Sequence, residues 1–223
     1  MDWTALWLTT KLALVTSLVL LVIGVPLAWW LATTAWRGRL FVEAVVALPI
    51  VLPPTVIGFY VLVALGPRSP VGRFFEDVLD YPLPFTFMGL VVASALYSLP
   101  FAVQPFVAAF RGVSAELVQA AWAAGATPWR TFRRVTIPLA WPGLLSGVVL
   151  SFAHTLGEFG VVLMVGGNIA GETRTISVSI YDAVESLDYA TATRTALLLV
   201  VISFIILSLI YLLQRNVRVA VTR

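Results

Sequence analysis

Glu158 is the one acid that stands inside an apolar context, and His154 precedes it by one helical turn. On a continuous helix, side chains four residues apart lie on the same face, so this acid and this base could pair. An ionisable residue in an apolar segment indicates a functional group such as a gate. A structural role, in which Glu158 caps or pairs at a helix break, fits the sequence equally well.

Other reactive chemistry is scarce. His154 is the only histidine and cysteine is absent, which removes thiolate catalysis, cysteine metal sites and histidine clusters. An intramembrane enzyme would need a nucleophile with a base, or a metal cluster, and one histidine near one glutamate supports this alternative weakly. No cofactor is expected. The apolar stretches do contain hydroxyl groups that could solvate a passing anion weakly, namely Thr55, Ser94, Ser98, Ser146 and Ser151.

The composition is that of a membrane protein. Of 223 residues, 60% are hydrophobic and 11% are charged, against about 25% charged in soluble domains. A helix needs about 20 mainly apolar residues to cross the hydrocarbon core. Five stretches meet this requirement, at about 12–33, 41–65, 85–110, 137–165 and 196–213. We therefore expect an all-α polytopic fold in a single domain, residues 1–223, with the fourth span bent or partly unwound at Gly157 and Gly160.

Arginine is distributed unequally between the two sets of loops that five crossings create. One set carries nine basic residues, and the other carries five together with eight acids. The nine are Arg37, Arg39, Arg111, Arg130, Arg133, Arg134, Arg215, Arg218 and Arg223. Because cytoplasmic loops are rich in basic residues, we expect the N-terminus outside and the C-terminus in the cytoplasm; a bacterial inner membrane is implied only by the resemblance described below. Glu43, near the inner end of the second span, should lie at the interface, where it either snorkels towards water or meets Arg37 or Arg39. Nucleic-acid binding is not expected.

Prolines concentrate in spans two to four. A proline in a membrane helix breaks the hydrogen-bond ladder and is tolerated where protein, side chains or water satisfy the freed carbonyl. Spans two to four are therefore expected to be irregular and to line a pathway, although prolines are also common in membrane helices generally. The candidate pathway or gate residues are Pro49, Pro53, Pro54, Thr55, Ser98, Ser151 and Glu158. No lysine or arginine lies deep in a predicted span, so an anion would be held only weakly.

The predicted cytoplasmic segment, residues 112–136, has the pattern of two short helices joined by a tight corner. Ser114 is a candidate N-cap for the first helix, and Gly125 should end it. Thr127 followed by Pro128 should cap and begin the second. Small residues before the corner allow another backbone to approach closely.

This segment resembles the coupling loop of ABC-importer permeases. The family pattern Glu-Ala-Ala-x3-Gly-x9-Ile-x-Leu-Pro is matched in spacing by Gln119, Ala120, Ala121, Gly125 and the stretch from Val135 to Pro138. Gln119, Val135 and Ile137 depart from it in residue type. The resemblance implies that Gln119, Ala120, Ala121, Gly125 and Pro138 take part in docking a cytoplasmic ATPase subunit. It also implies a homodimer with the pathway at its twofold interface, and an external binding protein that selects the substrate.

A narrower resemblance covers nearly the whole chain, from about residue 10 to 214. The stretches 157–160, 167–169 and 171–176, with the proline pattern from Leu48 to Gly58, are similar to permeases of molybdate importers. Sulfate permeases share much of this pattern, so a sulfate or thiosulfate permease is the alternative, and tungstate is not separated from molybdate. An ion-gradient transporter is a further alternative, but inverted repeats typical of that class are not visible. The sequence contains no P-loop, so ATP hydrolysis would come from a separate chain and this one is not expected to be an enzyme.

Overall fold

The computed structural model describes residues 2–221, with side chains through Ser208 and at Tyr211. Arg215, Arg218 and Arg223, which belong to the predicted inner set of arginines, lie outside the described side chains. Within the described part, the chain forms eleven α-helices and one π-helical turn and has no strand. The helices are α1 Trp3–Thr33, α2 Arg39–Val51, α3 Pro54–Leu65, α4 Pro70–Leu79, α5 Phe87–Arg111, α6 Ala115–Ala123, α7 Pro128–Thr131, α8 Ile137–Leu156, α9 Gly160–Gly166, α10 Ile176–Glu185 and α11 Tyr189–Val221.

The first span begins earlier than its apolar composition predicts. The prediction starts near residue 12, but α1 begins at Trp3 because the side chain of Asp2 accepts a hydrogen bond from the Ala5 backbone N–H at 2.9 Å. Such a cap satisfies one of the free donors of the first turn. The nine added residues carry Lys11 within the helix, where its ammonium lies 4.4 Å from the centre of the Phe87 ring.

Helices α1, α5 and α8 pack against one another and form the centre of the bundle. Phe106 of α5 is fully buried and fills the space between the other two helices. Glycines make this approach possible, since a Cβ added at Gly24 of α1 or at Gly147 of α8 would lie 3.2 Å or 2.5 Å from that ring. The apolar core therefore depends on two small residues that face one large aromatic side chain.

The predicted second span is not one helix. It is divided into α2 and α3, which meet at 115° around Leu52 and Pro53. The break follows from the adjacent prolines, because Pro53 and Pro54 both lack a backbone N–H and force the preceding residue into an extended conformation. Leu52 has that conformation, with ψ of 140°. The expected irregularity of the second span is therefore present as a sharp bend between α2 and α3.

The two ends of this bent pair lie at opposite ends of α5. Glu43 of α2 pairs with Arg111, the last residue of α5. Leu65, at the end of α3, belongs to an apolar cluster with Leu83 and Ala93 near the start of α5. Among the residues that the structure describes, four helical segments are long and apolar enough to cross a membrane, and α2 with α3 would make a fifth crossing. The predicted all-α membrane fold is confirmed, and the position of the bent pair favours five crossings over a re-entrant loop.

Helix α8 ends at Leu156, and α9 starts at Gly160 after a short break. Phe159 in the break has φ −128° and ψ −66°, so the helical conformation is lost there. Towards its N-terminal end, α8 runs back without interruption through the π-helical turn, Phe132–Thr136, into α7. Hydropathy placed the start of the fourth span near residue 137 and so did not indicate this continuity.

The close packing of Gly147 generates a testable prediction. A methyl group at this position would lie 2.5 Å from Phe106 and 2.7 Å from the Ala102 carbonyl, and the carbonyl cannot move aside cheaply. Gly147→Ala should therefore lower the free energy of unfolding by about 1–3 kcal/mol, measured as a lower Tm of the purified protein in detergent. Gly112→Ala is the control, since its Cβ would have contacts no closer than 3.4 Å. Equal Tm values for the two variants would contradict this account of the core.

Candidate functional site

The break between α8 and α9 holds a buried carboxylate. Glu158 is 4% exposed and accepts a short hydrogen bond from the hydroxyl of Ser94, a fully buried residue of α5. The second carboxylate oxygen, Oε1, is also buried and has no hydrogen-bond partner among the described residues. Burying such a group is costly unless it is well paired, so its retention indicates a specific role at the break.

A second polar contact lies one turn further along α5. The hydroxyl of Ser98 is 2.9 Å from Nδ1 of His154 and 2.9 Å from the hydroxyl of Thr155, both in the last turn of α8. The His154 ring stacks on Phe101, with ring centres 3.9 Å apart. We refer to Ser94, Ser98, His154, Thr155 and Glu158 as the break cluster.

The predicted pairing of His154 with Glu158 is wrong. It assumed a continuous helix, whereas α8 ends between the two residues, and no ion pair joins them among the described residues. Each finds a different serine of α5 instead. Ser94 and Ser98 are four residues apart, which places both on one helix face, and this spacing was the signal in the sequence that could have revealed the contact.

The other candidate pathway residues are dispersed. Ser151 is fully buried and donates to the Val148 carbonyl of its own helix, and Ser146 donates to the Pro142 carbonyl. Thr55 is exposed near the start of α3. In this conformation Ser94, Ser98 and Ser151 are buried and bonded within the protein, and weak solvation of a passing anion by these hydroxyls stays a prediction.

The three prolines mark the bend of the second span. Pro49 lies inside α2, Pro53 precedes α3, and Pro54 is its first residue. Pro54 also faces the break between α8 and α9, since a Cβ added at Gly160 would lie 2.8 Å from the Pro54 Cβ. The bend and the break are therefore in direct contact.

At the end of the bundle where α5 finishes, α6 and α7 form the two-helix corner. Gly125 follows α6 with φ +81°, a conformation that glycine adopts without strain. The backbone N–H groups of Gly125 and Ala126 donate to the carbonyls of Trp122 and Ala121, at 2.9 Å and 3.0 Å. This is the Schellman arrangement of a helix C-terminus. Because a Cβ at Gly125 would meet no atom of this chain within 4 Å, the glycine is required here by the backbone turn.

The two predicted N-caps differ. Thr127 accepts a hydrogen bond from the Arg130 N–H at 3.3 Å, and Pro128 opens α7. Ser114 precedes α6 but forms no capping hydrogen bond through its side chain. Ser114 therefore has the predicted N-cap position, but its side chain does not supply the capping hydrogen bond.

Helix α6 has two distinct faces. One face lines a cavity of about 510 Å³. The ends of α1 and α5, together with α7 and the π-helical turn, form the other walls of this cavity. The α6 residues on this face are Ala115, Val118, Gln119 and Trp122. The opposite face, at the same helical spacing, consists of Leu117, Ala120, Ala121 and Ala124, and none of these is buried. Gln119 thus faces the bundle, whereas Ala120 and Ala121 face away from it.

The basic residues around the corner are exposed. Arg130, Arg133 and Arg134 project from α7 and the π-helical turn, and Pro138 is exposed at the start of α8. Arg111 lines the cavity and binds Glu43 at 2.5 Å. The expected partners of Glu43 were Arg37 and Arg39, and this was wrong because Arg39 instead donates to the Thr34 carbonyl at 3.0 Å.

A helical membrane bundle with an exposed two-helix corner at one end defines a class of transport proteins. Residues 24–219 match the family described as "Binding-protein-dependent transport system inner membrane component", and the chain belongs to this family. The resemblance to ABC-importer permeases is therefore confirmed.

Among individual relatives, the chain is 50% identical to "Molybdenum transport system permease protein ModB" of Azotobacter vinelandii, over 96% of this chain and 95% of that protein. It is 38% identical to the protein of the same name from Escherichia coli (strain K12), over 83% of this chain and 81% of the relative. It is 33% identical to "Probable sulfate transport system permease protein cysT" of Chlorella vulgaris, over 93% and 77%.

Solved structures share the fold at low sequence identity. A chain of the MetNI methionine ABC transporter superposes with a TM-score of 0.73 at 19% identity, covering 96% of this chain and 94% of that one. A chain from a bacterial alginate ABC transporter, in complex with an alginate pentasaccharide-bound periplasmic protein, has a TM-score of 0.76 at 20% identity, over 96% and 78%. The fold is that of ABC-importer permeases.

The unequal caps of α6 and α7 lead to a prediction. Thr127→Ala should remove the hydrogen bond to Arg130 and destabilise the first turn of α7 by about 1 kcal/mol. Amide exchange of Arg130 and Thr131 should then be about fivefold faster, as measured by hydrogen–deuterium exchange. Ser114→Ala is the matched control, because this serine forms no capping bond and exchange within α6 should not change. A larger effect at Ser114 than at Thr127 would refute the assignment of the caps.

Proposed function

We propose that this chain is the membrane permease of an ATP-driven importer of molybdate or of the similar oxyanion tungstate. The observation that carries the proposal is the 50% identity, over almost the full length of both chains, to a molybdenum transport permease. The lower identity to a sulfate permease makes sulfate the second candidate. Apart from Lys11 in α1, the described spans carry lysine and arginine only near their ends, and this fits a route that passes a dianion without holding it.

The orientation proposed is N-terminus outside and C-terminus in the cytoplasm. The arginine-rich corner lies at one end of α1, where the rings of Trp29 and Phe132 are 4.9 Å apart. The acid-rich elements lie at the other end, where the Thr9 hydroxyl accepts a hydrogen bond from the Ile176 N–H at the start of α10. Because basic residues favour the cytoplasmic side, the corner faces inward under this proposal.

The outward face of α6, formed by Leu117, Ala120, Ala121 and Ala124, is the surface proposed to dock a cytoplasmic ATPase subunit. Its three alanines leave room for a partner backbone, and Leu117 supplies an exposed apolar side chain. Gln119 is on the opposite face, so the loss of the family's glutamate at this position leaves the docking surface unchanged. Gln119 instead lines the wall of the cavity.

A displacement of the corner would be transmitted into the membrane along one continuous helical run. The segment Pro128–Leu156 is one uninterrupted helical run that begins at the corner and ends at the break cluster. A helix transmits a displacement along its axis because its backbone hydrogen bonds are all internal. A movement of the docked corner would therefore reach the break, and through Gly160 and Pro54 it would reach the bend of the second span.

The remaining partners proposed are a second copy of this chain, a periplasmic or extracellular oxyanion-binding protein, and the lipid bilayer. The structurally similar alginate transporter was solved with its periplasmic protein bound, which supports a binding protein as partner. The acid-rich end carries a depression lined by Asp2, Arg174, Asp182 and Asp188. This surface is a candidate for that contact because it presents both signs of charge.

The docking surface is tested by Ala121→Glu. An unpaired charge placed in this small-residue face should cost about 3 kcal/mol in association, about a hundredfold in affinity. We expect loss of copurification with the ATPase subunit and loss of uptake at normal expression. Ala123→Glu is the control, because residue 123 lies on the side of α6 that already carries Glu116. Normal assembly and uptake of the Ala121 variant would disprove docking at this face.

The substrate is tested by competition. In cells or proteoliposomes with the complete transporter, uptake of labelled molybdate should require ATP and should be inhibited by equimolar tungstate. Sulfate should need a concentration at least about tenfold higher for the same inhibition, since a site shaped for the larger dianion rejects a smaller one by roughly that factor. Stronger inhibition by sulfate would favour the sulfate permease, and uptake that follows an ion gradient without ATP would favour a secondary transporter.

A further inference from the structure

The break between α8 and α9 is held by α5 through polar contacts on both of its sides. Ser98 contacts the last turn of α8, through His154 and Thr155, and Ser94 contacts Glu158 within the break. The backbone N–H groups of Gly157 and Glu158 turn back to the carbonyls of His154 and Thr155. The chain is thus unwound at the point where one face of α5 supplies hydrogen-bond partners through Ser94 and Ser98.

The helix after the break, α9, packs closely against α3. A Cβ added at Gly58 of α3 would lie 2.7 Å from the Met164 Cβ and 3.3 Å from the Val161 Cα, both in α9. Gly160 approaches Pro54 equally closely. Because two glycines bring these backbones together, α3 and α9 must move as one unit, which we call the α3–α9 pair.

The side chains of this pair that pack on α5 are apolar. Val161 and Val165 pack with Ala93, and Val162 packs with Leu90 and Val91. The far end of α9 is held separately, because the backbone N–H of Phe85, two residues before α5, donates to the Val165 carbonyl at 2.8 Å. Apolar contacts are non-directional and tolerate small sliding displacements, whereas a hydrogen bond holds only within a narrow range of distance and angle. At the end of the pair next to the break, the Ser94–Glu158 contact is therefore the element that can fix the register on α5.

We propose that Glu158 is a positioning residue, which sets the position of the α3–α9 pair on α5 through its hydrogen bond to Ser94. The functional consequence rests on the transport activity proposed above, whereas the geometric consequence does not. Side-chain length and hydrogen-bonding capacity matter in this role, and negative charge does not. Glutamine should therefore replace Glu158, and leucine should not.

The absence of cysteine makes a direct distance measurement possible. Tyr60 of α3 and Leu96 of α5 are both exposed, so spin labels on Tyr60→Cys and Leu96→Cys report the position of the pair on α5. The full transporter is reconstituted with an excess of unlabelled permease chains, so that each measured distance lies within one chain. Pulsed electron paramagnetic resonance then gives the distance distribution in each background.

In the Glu158→Leu and Ser94→Ala backgrounds, the distribution should shift or broaden, and the initial rate of molybdate uptake should fall about tenfold. In the Glu158→Gln background, both should stay close to those of the unsubstituted chain. Ser17→Ala is the control, because it removes a buried hydroxyl that has no partner, in the neighbouring helix α1. It should change neither quantity.

Unchanged distances in both the Ser94→Ala and Glu158→Leu backgrounds would overturn the proposal, even if both variants were less stable. A shift in Glu158→Gln as large as that in Glu158→Leu would overturn it too, because charge would then be the property that matters. If Glu158→Leu does not assemble, Ser94→Ala decides alone. Distances that respond as expected in a transporter that takes up no molybdate would leave the positioning role intact and refute the proposed substrate.

Discussion

The hydrogen-bonding requirement of the backbone in hydrocarbon is the constraint on which this structure depends. Inside a membrane, every unwound residue leaves donors and acceptors that must find partners in the protein. The chain unwinds at two internal places, around Pro53 and at residues 157–159, and it brings these places into contact through Pro54 and Gly160. Joining the two irregular points allows one uninterrupted neighbour, α5, to support both.

Helix α5 can serve as that support because it tolerates its own prolines. Pro100 and Pro105 lie inside α5, yet the helix runs without a break from Phe87 to Arg111. The buried residues of α5 make two kinds of contact. Small and apolar residues pack against α1 and α8, and Ser94 and Ser98 form hydrogen bonds at the break. A continuous central helix with a few polar positions thus contacts its neighbours at defined points.

The parts of the fold that depend on local composition could be predicted from the sequence. The spans, the corner and its stop at Gly125 follow from hydropathy and from residue conformational preference, which are properties of short segments. The partners of Glu158, His154 and Glu43 are 56 to 68 residues away along the chain, so local composition did not identify them. The spacing of Ser94 and Ser98 indicates a shared helix face, but it does not by itself show that this face meets Glu158 and His154.

The π-helical turn, Phe132–Thr136, shows how the corner and the break can be mechanically joined. A π-turn inserts a residue into a helix without ending it, so the side chains after it are rotated relative to those before it. Phe132 meets Trp29 and Trp129 there, at 4.9 Å and 5.6 Å between ring centres, and the adjoining cavity leaves space beside α6. The corner could therefore shift against the bundle while the run from Pro128 to Leu156 stays intact, as the docking and transmission proposed above require.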